Sequence, residues 1–282
     1  METLYDVFVG KYPQNGIIAN KWKEATNTNF NWEHLTKINF TKFADYLCDN
    51  MSQSSARQYM AKFKAVLEIY SDEIELPRQW RKCLSVKDDK SQQTYLTENE
   101  IMRIIRYKAC NKTESIVQQQ FILGCLTGAR HGDYSKFTQA NIHDNKLVYV
   151  SQKTHIKAEL PLSETARMIL FAEGDMEYPL AYKEVVSDHT FNDTIRSICK
   201  KCDISQTIHL YRRGEFWTGE KYWAVSSHTS RRSFCTNLYL RCRDVYLVSK
   251  LAGHTSTAMS ERYICCSTEA LTQQAMDYFK QF

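Results

Sequence analysis

The sequence predicts a mainly α protein with small β-hairpins, an α+β chain in two domains. Apolar residues recur at helical spacing through most of the chain. Strand-like alternation is confined to two short stretches, and a polar run with no packing face interrupts the helical pattern near residue 90. With 43% hydrophobic and 24% charged residues among 282, the composition is globular and large enough for two modest domains.

In chain order, residues 1–83 read as a helical domain. Its clearest helix is Ser54–Tyr70, where Tyr59, Phe63, Val66, Leu67 and Tyr70 form one stripe and a serine is available as N-cap. Arg57, Lys62 and Lys64 fall off that stripe, as DNA contacts or as a solvated basic side. A second helical stretch covers residues 31–47. Residues 84–96 are the expected linker. Thr97-Glu-Asn-Glu100 then reads as a capping box that opens a second domain, 97–282. There Ile116–Leu126 is an apolar helix with Arg130 beyond its end. Lys146–Lys153 and Ala158–Leu162 alternate as two strands joined by a turn, with Lys153 near the tip. Helices are expected at 163–172, 191–201, 230–240 and 268–280, and an aromatic-rich hairpin at 208–225.

No run of about 18 apolar residues is present, so no membrane span is expected. The N-terminus lacks the pattern of a secretion signal. The 10 cysteines are irregularly spaced and fit reduced thiols in a cytoplasmic protein. Cys199 and Cys202 have a metal-ligand spacing, with His209 as a conceivable third ligand, but a closed zinc site needs four. Cys265 and Cys266 read as small packing residues. Positive charge gathers late in the chain. Residues 1–90 hold 13 Lys/Arg against 12 Asp/Glu, and residues 200–263 hold 11 against 5, which suits a phosphate-binding surface.

That basic region holds His228, Arg231, His254 and Tyr263, while Arg130 lies upstream. Together they match the needs of a tyrosine attacking a phosphodiester. A phenol with a pKa near ~10 needs help to lose its proton. The developing negative charge on phosphorus suits two arginine forks and histidine donors. A lysine can protonate the leaving 5′ oxygen. Lys153 is preferred for that role, and Lys157 is close enough to compete. Asp133, three residues after Arg130, is placed to orient its guanidinium. Singly each motif is weak. Their joint order, Thr-Gly-x-Arg-x-x-Asp first and Gly-His-(eight residues)-Tyr last, is specific.

Here the chain resembles the tyrosine recombinases, the phage integrase family. Ser227-His-Thr-Ser-Arg-Arg-Ser-Phe-Cys-Thr-Asn-Leu is similar to the family's second box, and Leu251-Ala-Gly-His-Thr-Ser-Thr-Ala-Met-Ser-Glu-Arg-Tyr-Ile to its last. The resemblance covers residues 97–267, and less specifically 1–83 as the family's core-binding domain. It implies a two-domain DNA clamp with Arg130, Lys153, His228, Arg231 and His254 around the nucleophile Tyr263. It also implies a 3′-phosphotyrosyl intermediate with no metal or nucleotide cofactor, and double-stranded DNA as partner. Four protomers would assemble on paired sites, with accessory DNA-bending proteins possible. Arg232 is a further candidate DNA contact. His131-Gly132 departs from the family pattern, with consequences for packing more than chemistry. A separate arm-binding domain is not expected ahead of residue 1. Residues after Tyr263, notably Leu271, Ala275, Tyr278 and Phe279, would dock on a neighbour or pack on their own chain. Two other functions fit the chemistry or the fold: a type IB topoisomerase, and a DNA-binding regulator with a decayed site.

Overall fold

The computed structural model describes residues 2–86, 91–171, 186–212, 215–265, 276, 279 and 280. Backbone contacts divide the chain into two compact units. One is Met1–Ser91 with Tyr211–Phe216, and the other is Gln92–Leu210 with Trp217–Phe282.

The first unit is helical: α1 (Leu4–Lys11), α2 (Ile18–Thr26), α3 (Lys37–Asn50), α4 (Gln53–Ile69) and α5 (Trp80–Cys83). Trp22 organises its core, with the rings of Phe30, Phe40, Phe43 and Phe63 centred 5.1–6.2 Å away in tilted or edge contacts. Such aromatic side chains bury large areas and favour these offset geometries. The α4 stripe differs in detail from its sequence reading. Ala56, Met60, Phe63, Val66 and Leu67 are buried, while Tyr59 and Tyr70 pack at the margin. Its N-cap is Ser52, whose hydroxyl accepts from the Ser55 N–H. The helix expected over 31–47 is broken. Trp32–His34 forms one 3-10 turn, and α3 starts only after Thr36, whose side chain caps it.

The second unit begins inside the expected linker. Leu96 is fully buried, its N–H donates to Ser233 Oγ at 2.8 Å, and its carbonyl accepts from Asn237 Nδ2 at 2.9 Å. One apolar residue in a polar run has no period, so the anchor left little trace in the sequence. The capping box at Thr97 opens α6 (Glu98–Arg106). Its Glu100 is also buried against Lys221, with Nζ–Oε2 at 2.7 Å, a pair that joins α6 to the turn before the second box.

Helix α7 (Lys112–Thr127) is enclosed on nearly every face. Its Gln118 donates to the Ile104 and Tyr107 carbonyls at 2.6 and 2.7 Å, satisfying the end of α6. After it come α8 (His131–Tyr134) and an antiparallel sheet, β1 (Ile142–His143), β2 (Lys146–Val150) and β3 (Lys157–Pro161), in that spatial order. Lys146 pairs with Pro161 and Val150 with Lys157. The strand β2 stops at Val150, so Lys153 lies in a turn over residues 151–156 rather than on the strand.

Helices α9 (Glu164–Phe171) and α10 (Asp188–Lys201) follow, then the hairpin β4 (Thr207–Arg212) and β5 (Glu215–Glu220). In that hairpin Tyr211 and Phe216 make an edge contact at 5.3 Å, while Phe216 is 84% exposed, so this ring does not cover a core. The chain continues through α11 (Ser227–Cys242), α12 (Val245–Leu251) and α13 (Thr257–Tyr263). Leu271, Ala275, Tyr278 and Cys266 lie outside the described residues, as does most of the expected terminal helix, and Phe279 is exposed. No described helix is long and apolar enough to cross a membrane.

Candidate active site

The site is built where α7 ends against α11. Gly128 caps α7 in the left-handed region (φ 66°), and Arg130 follows as N-cap of α8. Helix α11 starts at Ser227, with Ser226 making a reciprocal cap with Thr229. It carries His228, Arg231 and Arg232 on its first turns. Arg231 is 1% exposed and donates Nη1 to the Gly128 carbonyl at 2.5 Å. Its Nε and Nη2 are buried with no hydrogen-bond partner among the described residues. Burial, followed by the nearby Arg130, holds its pKa below the ordinary guanidinium value.

His254 follows Gly253 (φ 62°) in the turn between α12 and α13, and is 7% exposed. Its Nδ1 lies 2.8 Å from Ser260 Oγ, and its Nε2 is buried without a partner among the described residues. Tyr263, the last residue of α13, stacks on the His254 ring at 4.9 Å. The guanidinium carbons of Arg231 and Arg232 lie 5.1 and 5.7 Å from the centre of the Tyr263 ring. Arg232 also has a buried Nε without a partner among the described residues.

A cleft beside this cluster is lined by Arg130, Lys153 and His228, together with His131, Asp133, Gln152 and Asp188. His228 is held below the usual histidine range by partial withdrawal from water, then by Arg232, Arg231, His131 and Lys153. Lys157 sits at the start of β3 with its ammonium 3.8 Å from Glu159, and Lys153 lines the cleft. Asp133 does not act on Arg130 in the way its spacing suggested. Its carboxylate accepts from Ser151 Oγ and from the Gln152 N–H, each at 2.9 Å. Ser151 in turn accepts from Arg130 Nη1 at 2.9 Å, so Asp133 reaches the guanidinium through a serine.

His131 packs against Phe191 in a tilted ring contact at 4.4 Å and pairs with Asp188 at 3.1 Å, which makes the family departure a packing feature with a polar partner. Sequence reading gave Gly128 only as a motif position, and it missed Ser151, Ser260 and Asp188. Gly128 and Ser151 lie two residues from Arg130 and Lys153, and Ser260 lies one helical turn before Tyr263, so proximity was their available signal; Asp188, 57 positions from His131, had none.

Arg57, Lys62 and Lys64 are on α4. Lys62 donates to Asn15 Oδ1 at 2.6 Å and lies over the Tyr12 ring, Lys64 is half-buried, and Arg57 is exposed. Cys199 and Cys202 are buried in the second unit's core, with burial raising both thiol pKa values. His209 is bonded to Thr218 Oγ1 at 2.8 Å. No group of three His, Cys, Asp or Glu side chains placed to hold a metal occurs among the described residues.

The sequence profile of the phage integrase family matches residues 94–269. The chain belongs to the phage integrase family. Among curated relatives of this integrase-family chain, the Integrase of Escherichia phage P2 is 25% identical over 194 residues. That match takes in 66% of this chain and 47% of the relative, so it spans about half of the phage protein. Among solved structures, a lambda integrase (75–356) dimer bound to a COC′ core site matches with a TM-score of 0.67 at 16% identity, over 93% of this chain and 95% of that one. A lambda integrase tetramer bound to a Holliday junction matches with a TM-score of 0.66 at 14% identity, over 93% and 77%. At these identities the structural matches establish a shared fold.

The His254 environment makes a testable claim about acid stability. Burial, then Arg231 and Arg130, lowers its pKa to about 3. In the unfolded chain it titrates near ~6.5. The unfolded state therefore takes up the proton first as pH falls. The contribution is complete above about 6.5 and declines by about 1.4 kcal/mol per pH unit toward the folded pKa, then levels off. His131 and His228 are also lowered and add in the same direction. Urea unfolding between pH 5 and 7 is expected to show this slope, reduced by about one proton in His254→Gln. An unchanged slope in that variant would contradict a neutral, buried His254.

Proposed function

We propose that this chain is a site-specific DNA recombinase that cuts and rejoins strands through Tyr263. The observation that carries the reading is the set of buried nitrogens around that tyrosine that have no partner among the described residues: Arg231 Nε and Nη2, and His254 Nε2. A buried donor without a partner costs about 1–3 kcal/mol, and more when charged. Three of them around one ring form a cradle that an anionic phosphate would complete. Where Ser260 donates to Nδ1 of His254, the ring proton sits on Nε2 and that nitrogen is a donor.

In the proposed step the Tyr263 hydroxyl oxygen attacks phosphorus and gives up its proton to solvent, from which Lys153 is later reprotonated, and the bond to the 5′ oxygen breaks. Arg231 and Arg130 bind the non-bridging oxygens, with His228 and His254 as further donors. The leaving oxygen takes a proton from Lys153, whose place in the cleft with Arg130 and His228 favours it over Lys157. The product is a 3′-phosphotyrosyl link and a free 5′ hydroxyl. Rejoining reverses each transfer, so the bond energy is kept. The helical unit, with Arg57, Lys62 and Lys64, would add DNA backbone contacts, and Arg232 would add another near the site. Double-stranded DNA is the proposed substrate, with four protomers on paired sites as in the family the chain resembles.

The test uses a nicked duplex built on the sequence this protein selects from a randomised pool. The expected result is a covalent protein–DNA adduct on denaturing gels that is absent in Tyr263→Phe, with DNA affinity within about twofold of wild type. An adduct persisting in that variant would remove Tyr263 as nucleophile, and no adduct from the wild-type protein would remove the cleavage reading.

A further inference from the structure

Resting on that reading, we propose that Ser151 is a positioning residue that sets the phosphate clamp and the Lys153 turn together. Ser151 is 1% exposed and sits where β2 gives way to the turn. Its hydroxyl accepts from Arg130 Nη1 and donates to Asp133 Oδ2, both at 2.9 Å. A hydroxyl can do both at once, which neither an amide N–H nor a carboxylate can. The backbone of the same residue closes the turn. Its N–H donates to the Ile156 carbonyl at 2.9 Å, and its carbonyl accepts from the His155 N–H at 2.8 Å.

Asp133 holds the other side. It is 6% exposed, and its second oxygen accepts the N–H of Gln152, the residue before Lys153. One buried carboxylate therefore grips the turn at two successive residues, and the serine passes that grip to Arg130. Arg130 and Lys153 act on opposite ends of the proposed step, the phosphoryl oxygens and the leaving oxygen. Both line the same cleft, and Ser151 is the side chain through which the arginine's hydrogen bonding reaches the base of the lysine's turn. The alternative is a serine that only closes a turn. It predicts a loss of stability without a change that depends on the leaving group.

The experiment compares wild type, Ser151→Ala and Lys153→Ala in single-turnover adduct formation on the selected nicked duplex. Two versions of the duplex are used, one ordinary and one with sulfur replacing the 5′ bridging oxygen at the cut. A thiolate leaves without needing a proton, so that substrate bypasses the lysine. Ser151→Ala is expected to slow cleavage of the ordinary duplex at least tenfold, with DNA affinity within twofold and the variant folded at the assay temperature, its melting temperature lowered only by the buried hydrogen bonds it loses. On the sulfur duplex its deficit is expected to shrink at least threefold, as that of Lys153→Ala does, leaving the part that belongs to Arg130. A rate within twofold of wild type on the ordinary duplex would overturn the proposal. So would a deficit equal on both duplexes, or one matched by lost affinity or by unfolding at the assay temperature. Failure of the wild-type protein to form any adduct would instead overturn the cleavage reading on which the proposal rests.

Discussion

Arg231→Met is expected to lower strand cleavage by about a thousandfold or more while leaving the fold about as stable as before. The first half follows from position. Arg231 is the buried guanidinium nearest the Tyr263 ring, with two nitrogens unpaired among the described residues. Removing a single donor aimed at developing charge costs about 10²–10³ in rate, and this change removes several along with a full charge. The second half follows from the balance of what the free protein loses. The Gly128 carbonyl loses its donor, a cost of about 1–3 kcal/mol. Against that, a buried cation close to Arg130 disappears, and replacing poorly compensated buried charge with apolar volume is often neutral or stabilising.

The check is a pair of measurements on one sample, adduct formation and urea unfolding. A loss of cleavage accompanied by several kcal/mol of destabilisation would make Arg231 a structural anchor. A third measurement separates the roles further. Sulfate should raise the melting temperature of wild type more than that of Arg231→Met, because an anion held in the cradle stabilises only the folded state.

The parts of this site legible in the sequence were those with an identity and a spacing. His228 and Arg231 lie one helical turn apart and fall together on α11. His254 and Tyr263 are separated by a turn and a short helix, and come together as a stacked pair. Most predicted helices are present with shifted ends, because periodicity locates a buried face better than it locates a cap. Lys153 lies in the turn rather than on the strand, which ends at Val150 where the apolar run Leu147–Val150 gives way to Ser151.

What stayed illegible was carried by small residues and by buried polar groups acting at long range. The bond from Ser151 to Arg130 spans 21 positions, and that from Ser233 to Leu96 spans 137. Neither a serine nor a glycine announces which distant group it serves. Asp133, expected to orient Arg130, reaches it only through Ser151: helical spacing brings two residues near each other without fixing where a carboxylate finds its best donors. Ser151 and the Gln152 N–H offered Asp133 two donors from a different element.

Gly128→Ala tests this long-range dependence at its narrowest point, and it is expected to be the most damaging single methyl in the second unit. Two costs combine. At φ 66° any Cβ meets the following carbonyl, a strain of about 1–2 kcal/mol. A Cβ there would also lie 2.3 Å from the Phe234 ring, and overpacking of this kind costs about 1–3 kcal/mol. Urea unfolding should therefore show a loss of about 2–5 kcal/mol. Phe234→Ala in the same chain removes the overlap but not the backbone strain, so the double variant should recover only part of what Gly128→Ala loses relative to Phe234→Ala alone. Full recovery would mean that the left-handed turn is dispensable. Cleavage should fall further than stability alone explains, under conditions where the variant remains folded. The Gly128 carbonyl fixes Arg231, and Arg130 begins two residues later, so relief of the clash moves both guanidinium groups at once. A displacement of about 1 Å in a positioned catalytic group can cost about a hundredfold. A folded Gly128→Ala protein that cleaved at the wild-type rate would show that the clamp does not depend on the close approach of α7 to α11.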